Sequence, residues 1–266
     1  MMGRLATFLP KRVRTRIRRV LDPALARIGC LRFDVKRHYA QDGLFTVHNA
    51  DFRRDPQFRK AYTRGIQASW GVDPGMEWRV HVALWAAATA LRSPGDFVEC
   101  GVNAGFVSSA IMHCLDWAGV PRKFYLIDTF SGPVVEQFSA EELKQGKAGL
   151  TKELLERGSY VTDVKRVRAN FAEWPNAVIV RGPVPEILAT LEIPRVAFLH
   201  IDMNSAYPEC AALMHFWPRL SPGALVLFDD YANHEHRYQK EKIDETVREL
   251  RAEVLSLPTG QGLVVR

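Results

Sequence analysis

Five short apolar runs, separated by helix-length segments, constrain this chain more than any other feature. They are "DFVEC" (96–100), "KFYLID" (123–128), "AVIVRG" (177–182), "VAFLHID" (196–202) and "ALVLFDD" (224–230). Helical patterns lie before and between them: "EWRVHVALWAAATAL" (77–91), "AGFVSSAIMHCLDWA" (104–118), "PECAALMHFWPRL" (208–220) and "YQKEKIDETVRELRA" (238–252). Alternating strands and helices imply parallel strands joined by right-handed crossovers. Runs such as "AVIV" and "ALVLF" are apolar on both faces, as central parallel strands must be. The end differs: "EVLSLP" and "GLVVR" are joined by "TGQ", a glycine-containing link that reads as an antiparallel hairpin. The expected fold is α/β: a doubly wound, mostly parallel seven-stranded sheet that ends in an antiparallel hairpin.

A chain of 266 residues can bury one sizeable core, or one core with a small accessory unit. Its longest apolar stretch, "VALWAAATAL" (82–91), falls short of the roughly 18 residues a spanning helix needs. The N-terminus has basic residues but no apolar core with a small-residue cleavage site, so a secretory signal is not expected. Cys30, Cys100, Cys114 and Cys210 are scattered and form no CxxC pair. They read as reduced structural thiols, and the expected location is cytoplasmic.

The net charge of +6 is uneven. Residues 1–40 hold eleven Lys/Arg and two Asp, a local balance of +9, so the remainder of the chain carries −3. Leu9, Val13, Ile17, Leu21 and Leu25 make one helical stripe among Arg12, Arg14, Arg16, Arg18 and Arg19. Two readings follow. The favoured one is a helix packed on the core or on a second subunit, in a homo-oligomer. The other is peripheral contact with an anionic membrane. No aromatics are interleaved with the arginines, so no nucleic-acid platform is expected. Residues 1–76 are read as a basic, helical N-terminal extension.

Ligands of open α/β sheets bind beyond the carboxyl ends of the strands. Two of the runs deliver acids there: Asp202 from "FLHID", and Asp229 with Asp230 from "LVLFDD". Clustered buried carboxylates repel one another, and a hard divalent cation with oxygen ligands is the natural compensator. "VECGVNAG" couples a strand to a helix through Gly101 and Gly105, in an E-x-G-x-x-x-G spacing. The dinucleotide fingerprint G-x-G-x-x-G is absent. Asp128 ends the next strand, where an acid can accept both ribose hydroxyls of a nucleoside.

"GDFVECGVNAG", "FYLIDTFSG", "FLHIDMNSAYPE", "FWPRLSPGALVLFDDY" and "LPTGQGLVVR" together resemble the macrocin O-methyltransferase family, across roughly residues 77–266. The resemblance implies a Rossmann-like class I methyltransferase domain over 77–266, using adenosylmethionine and magnesium to methylate a small-molecule hydroxyl, often on a deoxysugar. It implies Glu99, Gly101 and Asp128 at the donor. Val102, Asn103, Gly105, Thr129 and Ser131 join them as neighbours in the same two loops. It implies Asp202, Asp229 and Asp230 at the metal. Some members carry a second acid where this chain has Asn204, whose amide oxygen can still ligate. Proton acceptance falls to Asp202 or to His234 in "DDYANHEHRY", with His236 beside it; His200 reads as a satisfied core histidine. Residues 131–175 are long for one connection and are expected to form a helical lid, with Lys144, Lys147, Lys152 and Arg157 on its solvated face. A nicotinamide-linked oxidoreductase and a non-catalytic adenosylmethionine-binding module are the competing readings.

Overall fold

The computed structural model describes residues 39–266. They divide after Ala50 into two compact units. The basic stripe expected to be helical lies outside the described residues. In the first unit, β1 (Tyr39–Gln41) and β2 (Leu44–Thr46) pair as an antiparallel hairpin, turned at Asp42 and Gly43, both with positive φ.

The second unit begins at Asp51. That places residues 51–76 in one compact unit with the sheet. The reason is α1 (Pro56–Ala68), whose Phe58, Ala61 and Tyr62 are buried in the same core as the strands. Asp55 caps α1, its carboxylate accepting the Gln57 and Phe58 N–H groups at 2.7 and 3.4 Å. Next comes α2 (Glu77–Ala90), followed by the first central strand, β3 (Asp96–Cys100). The alternation then runs α3 (Phe106–Cys114), β4 (Phe124–Asp128), α4 (Ala140–Lys144), α5 (Lys147–Glu156), α6 (Val164–Asn170), β5 (Ala177–Arg181), β6 (Val196–Ile201), α7 (Ala206–Phe216), β7 (Leu220–Phe228), α8 (Arg237–Glu249), β8 (Leu255–Ser256) and β9 (Gly262–Val265).

The seven strands order as β5-β4-β3-β6-β7-β9-β8. The first five are parallel; β9 runs antiparallel to both β7 and β8. The chain winds outward from β3 to β4 and β5, then returns to place β6 on the other side of β3. That reversal opens a crevice at the ends of β3 and β6, where such sheets take ligands. Every residue of β6 is buried. Phe97 and Phe198 pack with Ala83, Ile111 and Met112 on one face, while Val98 and Leu199 pack with Leu213, Phe216 and Ile243 on the other. β7 starts at Leu220, four residues before the expected Ala224. The register with β6 shifts between Val196 and Phe198, which lets "SPG" remain in the strand.

Residues 131–175 carry α4, α5 and α6. A capping box starts α4: the Glu142 N–H donates to Ser139 Oγ, and the Ser139 N–H returns to Glu142 Oε2 at 2.9 Å. Glu142 is buried, and its Oε1 also accepts the Ala206 N–H at 3.0 Å, tying this segment to the start of α7. Lys147 pairs with the same oxygen at 3.2 Å and is only 13% exposed. Lys144, Lys152 and Arg157 are solvated as expected; Lys147 is not, because Glu142 draws it inward. Among the described residues, no helix is long and apolar enough to cross a membrane, and Cys100, Cys114 and Cys210 are free thiols.

Candidate active site

Two regions meet at the crevice. On the β3–β4 side, Gly101 has φ +90, and a Cβ there would lie 1.8 Å from the Asp202 carbonyl oxygen. Only glycine lets the ends of β3 and β6 approach this closely. Gly105, φ +84, precedes α3, and the Phe171 ring occupies the space a side chain would need. The cleft between these ends is lined by Gly101, Asp128, Thr129, Gly182, Val184 and Asp202, among others.

Asp128 stands at this cleft, but its carboxylate is already engaged. Oδ2 accepts the Val102 and Asn103 N–H groups at 2.7 and 2.8 Å, and Oδ1 accepts the Phe130 N–H at 2.6 Å. The acid expected to take two ribose hydroxyls also fixes the glycine loop. Val102 contributes its amide to that bond and its side chain to the core. Thr129 Oγ1 donates to Gly132 O at 2.7 Å and accepts the Ser131 N–H at 3.2 Å, shaping the turn. Ser131 is exposed and does not line the cleft.

Asn103 lines the cleft, and Glu99 lies behind it. The Asn103 backbone has φ +50, and its amide reaches across to residues 131–175. Its Nδ2 donates to Ser159 O at 2.9 Å, while its Oδ1 accepts the Val161 N–H at 2.8 Å. Between those anchors stands Tyr160, which lines the cleft. Burial, then the charges of Asp202, Asp230 and Asp128, push its phenol up to about 12, so it stays a neutral hydroxyl. Glu99 is buried and absent from the cleft; its Oε1 lies 2.8 Å from His200 Nδ1, and register places the two residues side by side on β3 and β6. Its Oε2 is buried without a hydrogen-bond partner.

On the other side, single oxygens of Asp202, Asp229 and Asp230 all lie within 4.8 Å of one another. The expected convergence is present. Arg79, on α2, is there too: its Nη1 donates to Asp229 Oδ2 and Asp230 Oδ1, both at 2.8 Å. Gln261, from "PTGQG", donates through Nε2 to Asp229 Oδ1 at 2.9 Å. Burial works to raise the Asp229 carboxyl, but Arg79 and His200 hold it well below the ordinary range. Asp202 has no Lys or Arg partner among the described residues. Burial, with Asp229 and Asp230 nearby, raises its carboxyl well above the ordinary range. Burial alone would lower His200, yet Asp229 and Glu99 on either side raise it to about 10. The cluster offers hard oxygens only, the donor set of a magnesium-type cation and not of zinc. The Asn204 amide nitrogen faces Asp202 Oδ1 at 3.4 Å.

The loop after β6 is held by Glu209, which sequence reading passed over. Its Oε1 accepts the Met203 and Asn204 N–H groups at 3.0 and 2.9 Å, and Gln239 donates to Oε2 at 2.9 Å. Burial pushes its carboxyl up to about 8 against those amide bonds. His234 is exposed and lies outside the cleft. His236 is the more buried of the two, its Nδ1 3.5 Å from Lys147 Nζ. Arg79 carried a usable signal: it is the one basic Lys/Arg side chain on a mostly apolar helix, and such a charge, if buried, needs a partner.

The family model described as macrocin-O-methyltransferase (TylF) matches residues 82–255. The chain belongs to the macrocin O-methyltransferase family. Family relatives include the 8-demethyl-8-(2,3-dimethoxy-alpha-L-rhamnosyl)-tetracenomycin-C 4'-O-methyltransferase of Streptomyces olivaceus, 28% identical over 52% of this chain. The mycinamicin III 3''-O-methyltransferase of Micromonospora griseorubida is 26% identical over 60% of it. The chain spans 54% of the first relative's length and 67% of the second's. Among solved structures, the O-methyltransferase NovP superposes with a TM-score of 0.59 at 23% identity, covering 71% of this chain and 79% of that one. The fold is therefore that of the class I methyltransferases, as the terminal hairpin required.

Proposed function

We propose that this family member is an adenosylmethionine-dependent O-methyltransferase acting on a hydroxyl of a sugar-bearing small molecule. One observation carries the reading: the acid cluster lies directly against the glycine-loop cleft, with Asp202 belonging to both. The tetracenomycin relative, whose name carries a rhamnosyl group, supports the acceptor class. Adenosylmethionine, when bound, supplies a methyl group already activated on sulfur. A divalent cation, when bound, would supply Lewis acidity to an acceptor oxygen. Asp202, Asp229 and Asp230 would hold it.

The chain's own residues then do the aligning. Such alignment is worth about 7–11 kcal/mol in favourable cases. Asp128 fixes the loop that cradles the donor. Asn103 holds residues 159–161 across it, and Tyr160 presents a neutral hydroxyl toward donor and acceptor alike. Transfer of the methyl group to the acceptor oxygen would require the hydroxyl proton to leave. Asp202 is the acid of the cluster that lines the cleft, so it is the group placed to receive that proton; exposed His234 is not. Residues 131–175 act as the lid.

Titration calorimetry with adenosylmethionine, adenosylhomocysteine and NAD tests the donor class. Binding of the first two and not of NAD is expected. Methyl transfer from labelled donor to a panel of glycosylated acceptors, with phenols as controls, tests the acceptor class. Label appearing only on phenols would contradict it.

A further inference from the structure

Arg79 does more at the acid cluster than join a helix to a strand end. A single nitrogen, Nη1, serves both Asp229 and Asp230 at 2.8 Å, instead of the guanidinium forking onto one carboxylate. Bridging two acids through one cationic atom is what a bound metal does. The arrangement is enclosed: the Arg79, Asp229 and Asp230 side chains are 13%, 9% and 16% exposed. Gln261 reinforces it, donating to Asp229 Oδ1 at 2.9 Å and reaching the Arg79 carbonyl at 3.5 Å. Asp202 stands outside the bridge.

We propose that Arg79 is the resident counter-charge of this cluster. It keeps Asp229 and Asp230 together when no metal is bound, and it sets metal affinity by opposing the incoming cation. This rests on the cation reading above. Arg79 is a positioning residue: it acts through the two acids and touches no reacting atom. An ordinary structural ion pair would give stability alone. A counter-charge must also weaken cation binding, because like charges so close repel in a poorly solvated site.

The test compares the full-length chain with Arg79→Gln and Arg79→Lys, by thermal unfolding in EDTA and in saturating Mg2+, and by Mg2+ titration calorimetry. Arg79→Gln should unfold at a lower temperature in EDTA and recover much of the loss in Mg2+, as a ligand that binds only the folded state requires. Its Mg2+ affinity should rise at least about fivefold, since a nearby positive charge is gone. Arg79→Lys keeps the charge, and its affinity should stay within about twofold of the parent. Unchanged or weakened Mg2+ binding in Arg79→Gln overturns the inference and leaves the metal site standing. No Mg2+ effect in the parent or either variant overturns both. If Arg79→Gln fails to fold in either condition, Arg79→Gln combined with Asp230→Asn restores the charge balance and should fold; a double variant that also fails overturns the inference.

Discussion

β4 ends in an aspartate and β7 is followed by two, and the molecule treats the two strand ends in opposite ways. Asp128 is caged by three backbone amides, neutral donors that belong to the same loops it shapes. Asp229 and Asp230 are held instead by a guanidinium, with Asp202 crowded against them and lacking such a partner. An amide cage holds a carboxylate under almost any ionic condition. A cluster of like charges is conditional on the cations around it. The donor side is therefore built once, on folding, and the acid side is left to respond to what binds.

The largest expected effect separates acids within the cluster. Asp229→Ala takes from Arg79 one of its two acid partners and from Gln261 its carboxylate acceptor in a buried site, and breaking such a buried pair costs about 3–5 kcal/mol. Asp202→Ala removes the cluster acid with no Lys or Arg partner among the described residues, so without metal it should leave stability unchanged or raise it. Urea unfolding in EDTA distinguishes them; equal losses would mean that Arg79 does not discriminate among the three.

Next in size is Asp128→Ala. Three amides lose a charged acceptor, each such bond being worth ~1.5–3 kcal/mol. Adenosylmethionine affinity should fall at least about tenfold, and hydrogen exchange at Val102, Asn103 and Phe130 should accelerate. Weakened affinity with those amides still protected would return Asp128 to direct ribose contact.

The contrast also explains what the sequence could disclose. Apolar runs that end in acids revealed the strands, the edge and all three cluster carboxylates, because strand period and burial are local properties. The terminal hairpin was legible for the same reason, from two short runs around "TGQ". Partners were not. Arg79 meets Asp229 across 150 positions, and Glu99 meets His200 only because β3 and β6 take one register. Lys147 reads as surface until Glu142 is seen to be buried beneath it. Asp128 was legible as an acid at the right place, but not as one already satisfied by the loop next to it.

A smaller effect sharpens the donor side. Asn103→Ala removes two neutral hydrogen bonds to residues 159–161, about 1 kcal/mol each. Faster hydrogen exchange at Val161 and roughly three- to thirtyfold weaker donor binding are expected. Unchanged exchange would show that residues 131–175 are held without it.

The smallest concerns pH. Burial works to raise Glu142, but the Ser139 and Ala206 amides and Lys147 leave its carboxyl below the ordinary range. The folded value lies below the unfolded one. Its contribution is therefore complete above the unfolded value, near 4.5, and is lost as pH falls through the folded value. Glu142→Gln should flatten that acid limb of the stability profile, and an unaltered limb would assign it to other carboxylates.

The measurement that bears most directly on the division of labour follows methyl transfer and donor binding together through chelation. Enzyme stripped with EDTA should transfer no label from adenosylmethionine to a sugar hydroxyl, and Mg2+ should restore transfer. Donor affinity by calorimetry should be the same before and after. Full transfer after exhaustive chelation, or donor binding that disappears with the metal, would contradict it.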